Sequence, residues 1–223
     1  MAKYLLFDAD GTLYDFKATE SVALKRVFEN YGIPWTREMF MLYEEGNHFC
    51  WDQYEKGLMS QEKLKGERFR ILFDKLSIKG DAEEAGDLYV DYLAEAGIMI
   101  DGAINFLESI KDREMAIITN GIAKTQHGRF DRTNTKRFFK EIFISQEMRV
   151  AKPDKAFFDI VLDTIKKAPE ECIVIGDSEK SDIQGAINAN IDSIFINFDG
   201  KISEKATYSV SSYEDLFELL KTI

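Results

Sequence analysis

The sequence has little cysteine, no basic cluster and no long apolar run. Its 223 residues include only two cysteines, Cys50 and Cys172, which lie far apart. Disulfide-stabilised folds usually carry several closely spaced cysteines, so we expect free thiols in a reducing compartment. The apolar stretch at residues 3–7 is too short for a signal peptide or a membrane span. These absences predict a cytoplasmic protein with no membrane partner.

No run of lysine and arginine is long enough to form a basic surface. The chain carries 40 acidic and 29 basic residues, which gives a formal net charge of −11. A field of that sign repels polymeric nucleic acid and anionic membranes. We therefore expect no nucleic acid polymer as a partner, although a metal ion and a well-placed lysine can still bind one phosphate group locally.

Short β-rich runs alternate with helical patterns over much of the chain. Several of the runs are nearly continuous and apolar, as expected for strands covered on both faces. Alternation of strands and helices predicts an α/β fold with a parallel sheet and helices on both sides. The predicted strands are 3–7, 114–119, 141–145, 171–176, 193–197 and an edge strand at 207–210, and the predicted helices after the first strand pair are 122–132, 153–166, 179–189 and 213–221.

The stretch from about residue 15 to residue 97 has helical periodicity and no convincing strand. Four helices are predicted there, at 20–31, 36–43, 61–76 and 82–96. Ser60 is a plausible N-cap for the third of them. We interpret this stretch as an inserted helical cap domain, 15–97, in a catalytic core formed by 1–14 and 98–223. Whether the protein is a monomer or a homodimer stays open.

Two aspartates follow the first predicted strand, in the segment Asp-Ala-Asp-Gly-Thr that begins at Asp8. Ligands of open parallel sheets bind at the carboxyl ends of the strands. Asp8 and Asp10 are two residues apart, so they face the same side of an extended chain. One of them is an ionised nucleophile at neutral pH, and the other can protonate a leaving oxygen and later deprotonate water.

Two further segments after predicted strands offer groups that bind phosphate. Thr119 supplies a hydroxyl, and the amides that follow it, in Asn120 and Gly121, open a predicted helix whose N-terminus favours an anion. Lys152 supplies a compact positive charge. Together these residues predict a phosphate site at the same edge of the sheet as the two aspartates.

A fourth segment, Gly-Asp-Ser at 176–178, adds a metal ligand. Asp177 is a hard oxygen donor, and with Asp8 and a backbone carbonyl it suits Mg²⁺. Several carboxylates around a dianionic phosphate would repel it. The electrostatics of the predicted site therefore require a divalent cation.

In this order, the four segments resemble those of the haloacid dehalogenase superfamily of hydrolases, over nearly the whole chain. The resemblance implies a Rossmann-like core with a helical cap inserted after the first strand. It implies that Asp8 is the nucleophile, that Asp10 is the acid/base, and that Thr119 and Lys152 hold the phosphate. The metal ligands that it implies are Asp8, Asp177 and the backbone carbonyl of Asp10, with Asp182 supporting the metal site directly or through water.

A narrower resemblance, to bacterial pyrimidine 5′-nucleotidases of this superfamily, lies in segments 51–57, 68–69, 119–129, 145–147 and 152–155. It implies hydrolysis of nucleoside monophosphates. Of the cap aromatics, Trp51 and then Tyr54 are the candidates for contact with a base, although most of these aromatics are expected to form the core of the insertion. Gln146 departs from the pattern, which more often has an acidic residue there, but it lies outside the catalytic set.

The main hypothesis is a Mg²⁺-dependent phosphomonoester hydrolase that forms an aspartyl-phosphate on Asp8, with a nucleotide as substrate. Alternatives on the same fold are a phosphatase of sugar phosphates or of phosphoglycolate type, and a phosphomutase. Dehalogenases of the superfamily lack the second aspartate, so Asp10 argues against that reaction. A non-catalytic phosphate-binding regulator is the alternative of a different class; such proteins usually lose one of the carboxylates.

Overall fold

One parallel sheet of six strands organises the chain in a computed structural model that describes residues 3–223. The strand order is β3-β2-β1-β4-β5-β6. This order changes direction at β1 and β4, the position at which open α/β sheets bind ligands. The predicted α/β class is confirmed. The strands are β1 Tyr4–Phe7, β2 Met115–Thr119, β3 Glu141–Ile144, β4 Cys172–Gly176, β5 Asp192–Ile196 and β6 Tyr208–Val210.

Residues 3–223 contain ten α-helices. Three further helical turns add to them, two of 3₁₀ type at Thr135–Phe138 and Pro169–Glu171 and one of π type at Glu179–Ile183. The helices are α1 Phe16–Asn30, α2 Arg37–Glu55, α3 Gln61–Leu76, α4 Ala82–Ala96, α5 Ala103–Ser109, α6 Ala123–Thr133, α7 Ser145–Met148, α8 Lys155–Ile165, α9 Gln184–Ala189 and α10 Tyr213–Leu220. None of these helices is long and apolar enough to cross a membrane.

The central strands are buried on both faces, which explains their continuous apolar sequences. β1 lies between β2 and β4, with Leu5 opposite Met115 on one side and opposite Ile173 on the other. On one face, alternate residues of β1, β2 and β4 pack against α8 and α9 in a single core. On the other face, Phe7 contacts Phe106 of α5 edge to face, with the ring centroids 6.1 Å apart. Packing on both faces therefore fixes these strands relative to one another, with their carboxyl ends at the same edge of the sheet.

The chain forms two compact units. The first comprises residues 3–16, Ile98–Gly121 and Thr133–Ile223 and contains the whole sheet. The second comprises Lys17–Gly97 and Ile122–Arg132, and so holds nearly all of α1 to α4 and of α6. The predicted domain boundaries, 1–14 with 98–223 and 15–97, stay a prediction.

Helix α2 extends twelve residues beyond its predicted end, because the prediction ended at Tyr43 and the helix ends at Glu55. The apolar periodicity stops where the buried face becomes polar, at Asn47. This side chain is buried because its amide donates to Glu20 and its oxygen accepts from Arg68, at 3.3 Å in each case. Tyr89 also donates to Glu20, at 2.8 Å. A polar network thus interrupts the apolar buried face of α2, which resumes at Cys50.

Other predicted bounds also differ from the structure. Helix α1 begins at Phe16, four residues before its predicted start at residue 20. The prediction placed Pro153 in the first turn of a helix, but α8 begins at Lys155. The cause is Asp154, whose carboxylate accepts from the Ala156 backbone N–H at 2.9 Å and caps the helix. Helices α5 and α7 were not predicted, because their seven and four residues are too few to show a helical period.

Candidate active site

Three of the four chemical segments end adjacent central strands. Asp8 directly follows β1, Thr119 ends β2, and Asp177 directly follows β4. The pairing of β1 with β4 continues one residue beyond the strand, since the Asp8 backbone N–H donates to the Ile175 carbonyl at 2.8 Å. The sheet therefore presents these residues side by side at its carboxyl edge, as the sequence predicted.

Lys152 joins this edge from the segment between β3 and α8. Its ammonium lies 2.7 Å from Oδ1 of Asp8 and 2.6 Å from Oδ1 of Asp182, and it donates to the Ile118 carbonyl at 2.8 Å. An ammonium has three N–H donors, so these three acceptors match it completely. Only 1% of the Lys152 side chain is exposed, which makes this a buried ion-pair network.

The carboxylates raise the pKa of Lys152. Burial alone acts to lower it, but the charges of Asp182 and Asp8, and the hydrogen bonds to them, outweigh burial. The ammonium is therefore charged throughout the physiological pH range. It serves as a fixed positive charge beside the proposed nucleophile.

Asp8, Asp177 and Asp182 form a compact acidic cluster, in which one carboxylate oxygen from each lies within 4.8 Å of the other two. Burial raises the pKa of Asp8 to about 7, against the opposing charge of Lys152, and the charges of Asp182 and Asp10 add to the increase. Burial and the charges of Asp8 and Asp182 raise the pKa of Asp177 to about 8. The ionised forms of Asp8 and Asp177 are therefore unfavourable side by side unless further positive charge is present.

The donor set fits Mg²⁺. All three side chains offer oxygen, which is the ligand that this hard cation takes, and a divalent charge would offset the repulsion between the ionised carboxylates. Asp182 differs from the other two, because its Oδ1 accepts from Lys152 and its Oδ2 accepts from the Ser178 backbone N–H at 3.0 Å. Both oxygens of Asp182 are therefore engaged by the protein. The roles of Asp8 and Asp177 as direct ligands, and of Asp182 as the supporting residue, stay a prediction.

A glycine in the turn after β1 allows the two strand ends to approach. Gly11 has a φ of +79°, and a Cβ placed on it would lie only 2.2 Å from Oδ2 of Asp177. Its N–H donates to the Tyr14 carbonyl at 2.9 Å, which closes the turn that carries the partly exposed Asp10. A side chain at position 11 would displace Asp177, so this position requires glycine both for its conformation and for space.

The segment after β2 forms contacts that the sequence did not reveal. Thr119 is buried, and its Oγ1 accepts from the Gly121 backbone N–H at 3.0 Å. Asn120 bonds to the backbone of Lys152 through both ends of its carboxamide, at 2.8 and 2.9 Å. The predicted phosphate role of these three residues stays a prediction, and the pairing of Asn120 with Lys152 has no sequence signal, because 32 residues separate them.

Trp51 and Tyr54, the predicted specificity residues, lie on α2 in the second unit. Both are half-buried, and their rings meet edge to face with centroids 5.6 Å apart. They thus form one aromatic pair on a helix whose buried face is held by the Asn47 network. Their contact with a substrate stays a prediction.

The acidic cluster predicts an unusual pH dependence of stability. In magnesium-free buffer, we expect the melting temperature to fall as the pH rises from about 5 to about 8, since carboxyl groups with raised pKa values bind more protons in the folded state than in the unfolded state. Millimolar Mg²⁺ should raise the melting temperature more at the upper end of this range, because only ionised carboxylates bind it. Differential scanning fluorimetry measures both, and a flat profile in chelator would contradict the prediction.

Comparison with known proteins places this geometry in a family. The family model for haloacid dehalogenase-like hydrolases matches residues 2–190. The chain is 34% identical to the pyrimidine 5′-nucleotidase PynA of Streptococcus pneumoniae, over 98% of this chain and 94% of that protein. It is 31% identical to the pyrimidine 5′-nucleotidase YjjG of Escherichia coli, over 97% of both.

A solved structure supports the same assignment. The orthorhombic form of the HAD-hydrolase YfnB from Bacillus subtilis, bound to magnesium, is 32% identical and superposes with a TM-score of 0.91, over 98% of both chains. PynA and YjjG are named nucleotidases, which are phosphatases, so the predicted enzyme class, a phosphoric monoester hydrolase, is confirmed. The matching family model, the two relatives of similar length and the shared fold together show that this chain belongs to the haloacid dehalogenase-like hydrolases.

Proposed function

We propose that this chain is a Mg²⁺-dependent phosphatase of nucleoside monophosphates, with Asp8 as its nucleophile. The observation that carries the proposal is the buried contact of Asp8 with Lys152, at 2.7 Å, beside Asp177 at the carboxyl edge of the sheet. A carboxylate held against an ammonium is positioned to attack phosphorus, and two relatives of nearly the same length are named pyrimidine 5′-nucleotidases. The names of these relatives support the substrate class.

The reaction divides into two displacements. In the first, a carboxylate oxygen of Asp8 attacks phosphorus and the ester P–O bond breaks, while Asp10 gives a proton to the departing alcohol oxygen. In the second, Asp10 takes a proton from water, the water oxygen attacks phosphorus, and the bond between phosphorus and Asp8 breaks to release inorganic phosphate. Acid–base help of this kind contributes roughly 10²–10⁴ in rate.

The fixed charges of the chain serve these steps. Lys152 favours the ionised form of Asp8, which must be unprotonated to attack. Asp182 holds the Lys152 ammonium and the Ser178 backbone at the same time. When bound by Asp8 and Asp177, Mg²⁺ supplies charge that offsets the negative phosphate.

A panel of phosphate esters tests the proposal. Release of inorganic phosphate from dUMP, dTMP, UMP, AMP and several sugar phosphates is measured with Mg²⁺ and with chelator. We expect Mg²⁺-dependent release, with kcat/KM for the nucleotides at least about tenfold above that for sugar phosphates. A preference for sugar phosphates would overturn the proposed substrate class. A sugar bisphosphate intermediate without net release of phosphate would indicate a mutase. Inactivity on every ester would overturn the proposed phosphatase activity.

Trp51 provides a test of base contact. We expect Trp51→Ala to raise KM for nucleotides about tenfold, because stacking on an aromatic ring contributes about 1–3 kcal/mol per base. Hydrolysis of ribose 5-phosphate, which has no base, should stay unchanged. Phe49→Ala on the same helix is the matched control, because this side chain is 51% exposed and should affect neither substrate. Equal effects of Trp51→Ala on both substrates would show that Trp51 only stabilises the helix.

A further inference from the structure

Asn120 and Lys152 are joined by a pair of hydrogen bonds between a side chain and a backbone. The Asn120 Nδ2 donates to the Lys152 carbonyl at 2.8 Å, and the Lys152 backbone N–H donates to Oδ1 of Asn120 at 2.9 Å. One carboxamide thus pairs with both polar groups of a single residue. This arrangement fixes the position and the orientation of the Lys152 backbone at once.

Both ends of Lys152 are therefore held by the protein. Its backbone is bound by Asn120, and its ammonium is bound by Asp8, Asp182 and the Ile118 carbonyl. A lysine stem has four carbons and many rotamers, so an ammonium is placed accurately only when the backbone that carries it is fixed. Lys152 lies in no helix or strand that would hold it by regular backbone pairing. One backbone hydrogen bond, from the Asp154 N–H to the Ala151 carbonyl at 2.9 Å, closes a turn around Lys152, and side-chain contacts then hold this turn in place.

We infer that Asn120 is a positioning residue for Lys152, and that it supports catalysis by keeping the ammonium against the Asp8 nucleophile. The inference rests on the proposed function of Asp8. It assigns the Asn120 carboxamide a role different from direct phosphate binding, which the sequence predicted for this position. Alignment of a nucleophile matters most in the transition state, so the role should affect kcat more than KM.

The first test compares Asn120→Ala with the parent protein on dUMP. We expect kcat to fall about 10- to 100-fold, because a small misplacement of a catalytic group costs rates of this order. KM and the inhibition constant of inorganic phosphate should stay within about twofold. A large rise in the phosphate inhibition constant with kcat intact would overturn the inference and favour direct binding of phosphate by Asn120.

Asn188→Ala is the matched control. The Asn188 amide donates to the Pro153 carbonyl at 2.9 Å, one residue beyond Lys152, so the same substitution removes a similar bond from the adjoining peptide. This bond comes from α9 and touches no group of the Lys152 residue. We expect Asn188→Ala to keep the parent kcat. An equal loss in both variants would indicate general loosening of the segment and would count against a specific role of Asn120.

A double-mutant cycle separates positioning from a structural role. If Asn120 acts through Lys152, Asn120→Ala should cost little further rate in a Lys152→Met background. An undiminished further loss in that background would overturn the inference. Amide hydrogen exchange provides a second readout that needs neither activity nor the Lys152 variant: exchange at the Lys152 N–H should accelerate at least about tenfold in Asn120→Ala and stay unchanged in Asn188→Ala.

The two proposals fail in different ways. An inactive parent protein would overturn the phosphatase. In that case, accelerated exchange at Lys152 would still support the placement of its backbone by Asn120, and unchanged exchange would overturn this as well. An active parent with unchanged kcat in Asn120→Ala would leave the phosphatase standing and overturn the role of Asn120.

Discussion

Asp8→Asn is expected to abolish phosphate release and to leave a folded protein. An amide oxygen is a poor nucleophile at phosphorus, and removing the nucleophile of a covalent mechanism costs at least about 10⁴-fold in kcat. The side chain keeps its size, and its oxygen can still accept from Lys152. Loss of activity therefore reports on the role of Asp8 in the site and not on unfolding. Steady-state phosphate release under Mg²⁺ measures the effect, and retention of even a hundredth of the parent rate would contradict the role of Asp8.

The stability of this variant adds an independent check. In chelator at about pH 8, Asp8→Asn should melt at a temperature equal to or above that of the parent. The substitution removes a carboxyl group whose pKa is raised by burial and by neighbouring carboxylates, so its ionised form is unfavourable in the folded protein. In Mg²⁺ the order should reverse, because the variant loses a ligand. Asp199→Asn, on an exposed loop, is the matched control and should change neither activity nor melting temperature. A lower melting temperature of Asp8→Asn in chelator would show that the pairing with Lys152 outweighs the repulsion.

Lys152→Met is expected to cost both activity and stability. Removing one partner of a buried ion pair leaves uncompensated charge and typically destabilises a protein by about 3–5 kcal/mol. Lys152 pairs with two buried carboxylates, of which Asp182 is wholly buried, so we expect the upper part of that range. Loss of the charge beside Asp8 should also lower kcat at least about 100-fold. Urea unfolding and phosphate release measure the two effects.

Two further variants sharpen this prediction. Lys155→Met is the matched control, since Lys155 is exposed and pairs only along its own helix with Asp159. Loss of the Lys155 ion pair should lower the free energy of unfolding by less than about 0.5 kcal/mol. Lys152→Arg should not rescue activity, because three acceptors converge on one nitrogen atom and a planar guanidinium cannot replace that arrangement. Full activity in Lys152→Arg would show that the charge alone is sufficient.

The helices and strands that could be predicted from the sequence are those whose buried faces consist mainly of apolar side chains. The bounds of α3 and α4 match the prediction, and each central strand begins or ends within one residue of it. These elements have mainly apolar buried faces and clear ends, such as the start of α3, where the Ser60 hydroxyl accepts from the Lys63 N–H at 3.2 Å. Helix α2 was predicted too short, because Asn47 is buried by polar contacts with residues far away in sequence.

Only part of the candidate site could be predicted from the sequence, because some of its contacts join residues that are far apart in sequence. Strand ends of a parallel sheet meet at one edge, so the sequence alone brought Asp8, Thr119 and Asp177 together. It did not show that Asp182 binds the Lys152 ammonium directly, or that Asn120 holds the Lys152 backbone. Both contacts depend on the path of an irregular segment across the edge of the sheet, which neither periodicity nor a short motif describes.

The order of the strands has a consequence for biosynthesis. Asp8 directly follows β1, and 144 residues separate it from Lys152. At a translation rate of about 5–20 residues per second, the emerging chain carries this proposed nucleophile for roughly 7–29 s before its ammonium partner has been made. During that time the proposed centre lacks its positive charge, so the proposed hydrolysis can begin only after Lys152 and β4 have been made and have joined the sheet. Substrate hydrolysis by a nascent chain would therefore indicate that folding has progressed at least as far as β4.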